Sequence, residues 1–254
     1  MTRSHLIPLA ILAVLAIAVG GFIAYDQVLR GDSVAALTLP ASTPSAARAS
    51  EVASGEPSTS STPAAASSSV ATTGVAGTWN ATTGSEAGYR VREQLANLPA
   101  ESDAVGRTSD VTGSITLEAA GDGARLTAGS LTVNTQTIAS DESRRDNRLR
   151  SEGLQTDQYP TATFAVTQPV DVPAAALAGT ATDVTLTGYL TLHGVTKSVQ
   201  IQAQAQLVNG TIQVAGSITF PLSDYQITAP NVGGFILSIA DQGTLEFLVT
   251  FAKG

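Results

Sequence analysis

Val199-Gln200-Ile201-Gln202-Ala203-Gln204-Ala205-Gln206-Leu207-Val208-Asn209-Gly210-Thr211-Ile212-Gln213-Val214-Ala215-Gly216-Ser217-Ile218-Thr219-Phe220 decides the fold class. Apolar Val199, Ile201, Ala203, Ala205 and Leu207 alternate with four glutamines, and the same period of two resumes at Ile212, Val214, Ile218 and Phe220. A period of two is the mark of a strand with one apolar and one wet face. Antiparallel sheets have such faces, whereas strands of buried parallel sheets are apolar on both sides. Between the two runs stands Asn209-Gly210. Both residues tolerate the positive φ of a two-residue hairpin turn, so the pair joins antiparallel neighbours.

The same alternation recurs on either side. Val111, Ile115 and Leu117 alternate with Thr112, Ser114 and Thr116, and Val184, Leu186, Leu190 and Leu192 with Thr185, Thr187, Tyr189 and Thr191. His193-Gly194 reads as a second hairpin connection. Strands are expected near 78–82, 88–93, 110–118, 126–135, 161–170, 184–192, 198–208 and 211–222, with a further one over 243–251; the first, short one is read as a strand or as an extension of another. About eight antiparallel strands with apolar faces leave exposed edges unless the sheet closes, so the expectation is an all-β barrel. One helix interrupts it: Ser140 as cap, Asp141 and Glu142 in the first turn, Arg148 and Arg150 near the end, Gly153 as stop. Asp141 with Arg145, and Asp146 with Arg150, have the i,i+4 spacing of ion pairs.

Upstream of residues 77–254 the composition changes. In 41–76, 30 of 36 residues are Ala, Ser, Thr, Pro or Gly, too little apolar surface to offset ordering entropy. Residues 26–76 are therefore expected to form a disordered stalk with an end-to-end distance of roughly 40 Å. Residues 1–25 hold an uncharged run over 6–24, which as a helix would extend about 28 Å, the thickness of a bilayer core. Arg3 and the amino terminus precede it, so the expected topology is a single-pass anchor with its start in the cytoplasm and the rest of the chain outside. The alternative is a secretory signal cleaved near Ala18-Val19-Gly20.

Composition narrows the chemistry. The chain of 254 residues has no cysteine, which excludes thiolate catalysis, thiolate metal sites, disulfides and a lipoprotein anchor. A net charge of −8 argues against nucleic acid as a partner. Its two histidines include one in the barrel, His193, read as a turn residue. With no G-x-S-x-G elbow, no phosphate-cradling glycine loop and no metal-ligand spacing, neither a catalytic constellation nor a cofactor or metal site is expected. Asn80-Ala81-Thr82 and Asn209-Gly210-Thr211 match the glycosylation pattern but are read as chance and turn chemistry. The cluster Arg144, Arg145, Arg148, Arg150 is read as a solvated helix face whose acids are interleaved at pairing distance, with an anion site as the functional alternative.

Ser140-Asp141-Glu142-Ser143-Arg144-Arg145-Asp146-Asn147-Arg148-Leu149-Arg150, followed by Tyr159-Pro160-Thr161-Ala162-Thr163-Phe164, resembles the YceI-like family of exported lipid-binding proteins. The hallmark is Arg-Asp-x-x-Leu followed by Tyr-Pro-x-x-x-Phe. Leu190-Thr191-Leu192-His193-Gly194-Val195-Thr196-Lys197 is similar to a hairpin of that family, and Thr78-Trp79, Tyr89-Arg90-Val91, 220–225 and 243–251 to its outer strands. The sequence departs from the family where many members carry His and this chain has Arg148, and in lacking a His-Ser pair on the opening strand. The resemblance implies a lipocalin-like, eight-stranded antiparallel β-barrel, non-enzymatic, whose lumen takes a polyisoprenoid or similar long-chain lipid.

Small inward residues, among them Ala162, Ala203, Ala205, Gly188 and Gly216, are expected to leave room for such a chain. Burying a methylene yields about 0.8 kcal/mol, so a few isoprene units suffice for binding without a polar motif. The lumen-lining residues expected are Val91, Ile115, Leu117, Leu131, Val133, Phe164, Val166, Leu186, Leu190, Phe220 and Phe247, with Arg145 and Arg148 as headgroup contacts. Partners are then the lipid, the membrane through the N-terminal helix, and a second copy of the chain as a homodimer. The competing readings are a protein-interaction module with a filled barrel, and an enzyme that uses Asp146 or Asp224 on a lipid-linked substrate.

Overall fold

A computed structural model of the protein describes residues 34–40, 74–96, 101–229 and 236–254. The apolar run at 6–24 and most of the stalk lie outside the described residues. Among the described residues no helix is long and apolar enough to cross a membrane.

The strands, in chain order, are β1 Gly77–Ala81, β2 Glu86–Leu95, β3 Ser102–Thr108, β4 Val111–Ala120, β5 Gly123–Asn134, β6 Thr161–Val166, β7 Val170–Val172, β8 Thr182–Leu192, β9 Val195–Val208, β10 Thr211–Pro221 and β11 Ile236–Lys253. They pair antiparallel in the order β1-β4-β5-β6-β8-β9-β10-β11, and β1 closes the ring by pairing β11 as well. The result is a closed barrel of eight strands. Its joint is short: β1 covers only Ser114–Leu117 of β4 and Phe251–Lys253 of β11. The first short strand is therefore a separate element and the one that completes the ring.

Both expected two-residue hairpins form. Asn209 and Gly210 have φ of 52° and 76°, and His193 and Gly194 of 51° and 74°, the left-handed pair that matches the twist of the flanking strands. In β5 a register shift between Thr116 and Leu117 of its partner skips Thr127, so that Leu126 and Leu131 both face inward despite their odd spacing. The core is the set of inward side chains, among them the deeply buried Val249, Phe251, Leu117, Leu192 and Trp79.

Several elements differ from expectation. Residues 102–108, with no clear alternation, form β3, which hairpins with β2. β2 pairs the N-terminal half of β11, so at that end the β2–β3 hairpin takes the place β1 holds at the other, and β3 ends in a bridge from Arg107 to Ala139. The strand expected over 161–170 stops at Val166 and resumes as β7, which pairs β5 instead. A short helix, α2 (Ala174–Leu177), follows.

The other helix, α1 (Ser143–Arg148), is capped by Glu142, whose carboxylate accepts from the Arg144 N–H at 3.0 Å. Ser140, the expected cap, instead donates its hydroxyl to Asp146 at 2.7 Å. Asp146 is thereby taken up, and its expected pair with Arg150 is replaced: Arg150 donates to the carbonyls of Gln136 and Ile138. The chain continues from α1 into one wide turn, Leu149–Gly153, closed by Leu154 N–H to the Leu149 carbonyl at 2.7 Å.

Ten residues within the stretch read as stalk also have a defined place: 34–40, and 74–76, where Val75 is buried in the core. Residues 34–40 lie extended against the outside of the barrel, with Leu37 and Leu39 half-buried. A freely fluctuating stalk does not describe these ten.

Candidate functional site

Two cavities lie in the interior formed by the described residues. The larger, about 190 Å³, lies toward the end covered by α1. The smaller, about 70 Å³, lies toward the end covered by α2. An apolar cavity of about 150 Å³ is large enough to stay dry and admit a benzene-sized guest. The larger cavity is at the end where the β2–β3 hairpin adds a strand to the wall.

All eleven residues expected to face the lumen do so. Val91, Val133, Leu190 and Phe220 line the larger cavity, and Ile115, Leu117 and Val166 the smaller. Leu131, Phe164, Leu186 and Phe247 line both and form the waist between them. Two of the small residues act differently from expectation. A Cβ on Gly188 would stand 2.6 Å from the Phe164 ring, and one on Gly216 2.9 Å from the Phe247 ring. These glycines do not leave empty space. They let the two rings lie against the wall.

A polar cluster enters this apolar interior. Glu93, at the end of β2 and 3 % exposed, accepts from Arg145 at 2.7 Å. Arg145 also donates to Asp141 at 2.5 Å, so the i,i+4 pair forms as expected while the same guanidinium reaches into the barrel. The reading of the arginines as a solvated face thus holds for part of the helix and fails at Arg145. Burial raises the Glu93 carboxyl above its ordinary value, and Arg145 opposes that rise. Tyr89 stands beside them, and burial pushes its hydroxyl up to about 12. The Tyr89 hydroxyl and the Arg145 Nε are buried without a hydrogen-bond partner. Arg148 also lines the larger cavity and lies 3.8 Å from Glu152. Sequence reading missed Glu93 and Tyr89. The one signal available was a carboxylate at an inward phase of β2, in register with Val91.

Residues from outside the strands cap this end: Ile138, Leu149 and Leu154 line the cavity from the segment around α1. Nearby, His193 is buried, with Nδ1 2.9 Å from the Tyr225 carbonyl and its ring edge-on to Tyr159 at 4.6 Å. It clasps the β8–β9 turn to the turn after β10. Among the described residues no group of His, Asp or Glu could hold a metal ion.

Comparison with known proteins agrees with this architecture. A polyisoprenoid-binding domain from Saccharophagus degradans implicated in plant cell wall breakdown superposes with a TM-score of 0.54 at 21 % identity, covering 70 % of this chain and 98 % of that one. At that identity the likeness is one of fold. A UPF0312 protein of Shewanella oneidensis is 38 % identical over 102 residues, 40 % of this chain and 49 % of the relative. Protein YceI of Escherichia coli is 37 % identical over 75 residues, 29 % of this chain and 35 % of its own length. The matches span about half the length, or less, of these curated relatives. The model of the YceI-like domain matches residues 67–251, which takes in β1–β10 and all but the last two residues of β11, and the chain belongs to the YceI-like family.

Proposed function

We propose that the protein binds a polyisoprenoid or another long apolar chain in the barrel, without transforming it, and does so outside the cytoplasm on a membrane tether. The observation that carries this reading is the pair of apolar cavities in series, joined at a waist whose two aromatic rings are folded back over glycines. A filled, close-packed core would leave no voids of this size. The polyisoprenoid-binding domain with the same fold supports the choice of ligand class. The tail lies along the waist, and its head is at the end that offers the Tyr89 hydroxyl and the Arg145 Nε as unused donors. The apolar run at 6–24 supports the tether and the placement outside the cytoplasm.

Solvent extraction of the purified protein followed by mass analysis tests the reading. The expected result is a stoichiometric apolar lipid, lost in Leu190→Asp, which puts a charge into the larger cavity. A folded Leu190→Asp protein that still carries lipid, or a parent protein that carries none and takes up no added isoprenoid, overturns it. The same clean parent mass would favour a barrel that serves protein interaction.

A further inference from the structure

The outward face of the barrel carries a feature that lipid binding does not use. By register, Gly88 and Arg90 of β2, Val105 and Arg107 of β3, Glu246 of β11, Ala215 of β10 and Gln206 of β9 all point away from the lumen. Outward side chains of a barrel are normally solvated. Here Glu246, Gln206, Val105 and Ala215 are buried, at 3 %, 2 %, 7 % and 5 % exposed. Val105 and Ala215 point outward by register, so the interior does not bury them.

Residues 34–40 lie over this face, and four strands grip their backbone. Arg90 donates to the Val34 carbonyl at 2.7 Å and Arg107 to the Ala35 carbonyl. Glu246 Oε2 accepts the Leu37 N–H at 3.4 Å, and Gln206 donates to the Pro40 carbonyl at 3.3 Å. The carboxylate is itself fixed: its other oxygen accepts from Arg107 at 2.8 Å and from Arg90 at 3.4 Å. Arg107 reaches it across Gly88, where a Cβ would meet the arginine side chain at 2.9 Å and backbone closer still. Leu37 and Leu39, two residues apart on an extended chain, present one apolar side, and the alternate residues Ala36, Thr38 and Pro40 are exposed. A buried acid, two arginines and a glutamine aimed at successive peptide groups make a built site for an extended segment.

We infer that the outer wall across β3, β2, β11, β10 and β9 is a peptide-binding groove whose occupant is residues 34–40 of the same chain. The groove clamps the linker. Its geometric consequence rests on the reading of 6–24 as an anchor. Only eight residues, 26–33, then separate the anchor from the clamp, with a maximal reach of about 28 Å. An unclamped linker would let the barrel wander over the roughly 40 Å of a 51-residue coil. The clamp holds the barrel wall next to the membrane surface, where an apolar ligand has the least water to cross.

The chain has no cysteine, so two introduced thiols are its only labelling sites. Spin labels on Thr38→Cys and Gln202→Cys, both exposed positions, report the distance from linker to barrel in the full chain. The expected result is a single narrow distance distribution, which broadens severalfold when Leu37→Asp and Leu39→Asp are added. A broad distribution without those changes, or one that ignores them, overturns the inference. So does a narrow distance between labels placed on separate chains, which would mean exchange of the segment between copies. Lipid retention is read in parallel and should not change, so failure of the clamp and failure of lipid binding are separable.

Discussion

Glu93 stands at the bottom of the larger cavity with one cation to balance it. Its carboxyl is raised by burial and held back by Arg145, so removing Arg145 must raise it further. The native state of Arg145→Met then favours the protonated acid more than the unfolded chain does. Stability contributed in this way is complete below the ordinary carboxyl range and is lost as pH rises through the native value. The deficit of Arg145→Met relative to the parent should therefore be small near pH 4 and grow to about 1–3 kcal/mol by pH 8. Denaturant titrations at several pH values measure it, and adding Glu93→Gln should abolish the slope. A deficit that does not vary with pH would mean that Glu93 is not the group stranded. The pairing itself was half legible. Arg145 and Asp141 are four apart on a helix, which sequence spacing reveals. Glu93 is 52 residues away, and only the fold brings it to 2.7 Å.

The hairpins show how far local sequence carries an element. Gly194 and Gly210 occupy the same position of the same turn, with φ of 74° and 76°. A Cβ on Gly210 meets nothing within 4 Å, whereas one on Gly194 would stand 2.5 Å from the Tyr159 ring. Gly210→Ala should thus lose only the backbone penalty, about 1 kcal/mol. Gly194→Ala should lose that and more, because it pushes Tyr159 off His193. Equal losses in chemical denaturation would show that the ring moves freely. Both turns were legible, since their residue types follow from local φ. The β2–β3 hairpin was not. Ser102-Asp103-Ala104-Val105-Gly106-Arg107-Thr108 has no alternation because both of its faces are covered: Ala104 and Gly106 face the barrel interior, and Val105 and Arg107 lie in the groove beneath residues 34–40. A strand enclosed on both sides loses the contrast that sequence reading depends on.

At the scale of the molecule, stability and ligand are linked. A ligand that fills the two cavities binds the folded barrel alone, so lipid at a hundred times its dissociation constant should add about 2.7 kcal/mol. Extracting the lipid should therefore lower the unfolding midpoint in denaturant, and adding isoprenoid back should restore it; an unchanged midpoint would mean that the cavities bind nothing. The barrel and its inward residues could be read from one chain, because alternation, hairpin turns and a small set of edge-free architectures are each local or nearly local in origin. Inward positions such as Ile115, Leu117, Leu186, Leu190 and Phe220 follow from that periodicity alone. What the tertiary structure decided is where separate strands meet. It set Phe164 over Gly188 and Phe247 over Gly216, brought Glu93 to Arg145, made β1 the joint of the ring, and laid residues 34–40 across five strands. Each of these depends on the register and curvature of the closed sheet. Neither is encoded in any single segment, because both arise only when all eight strands pair at once.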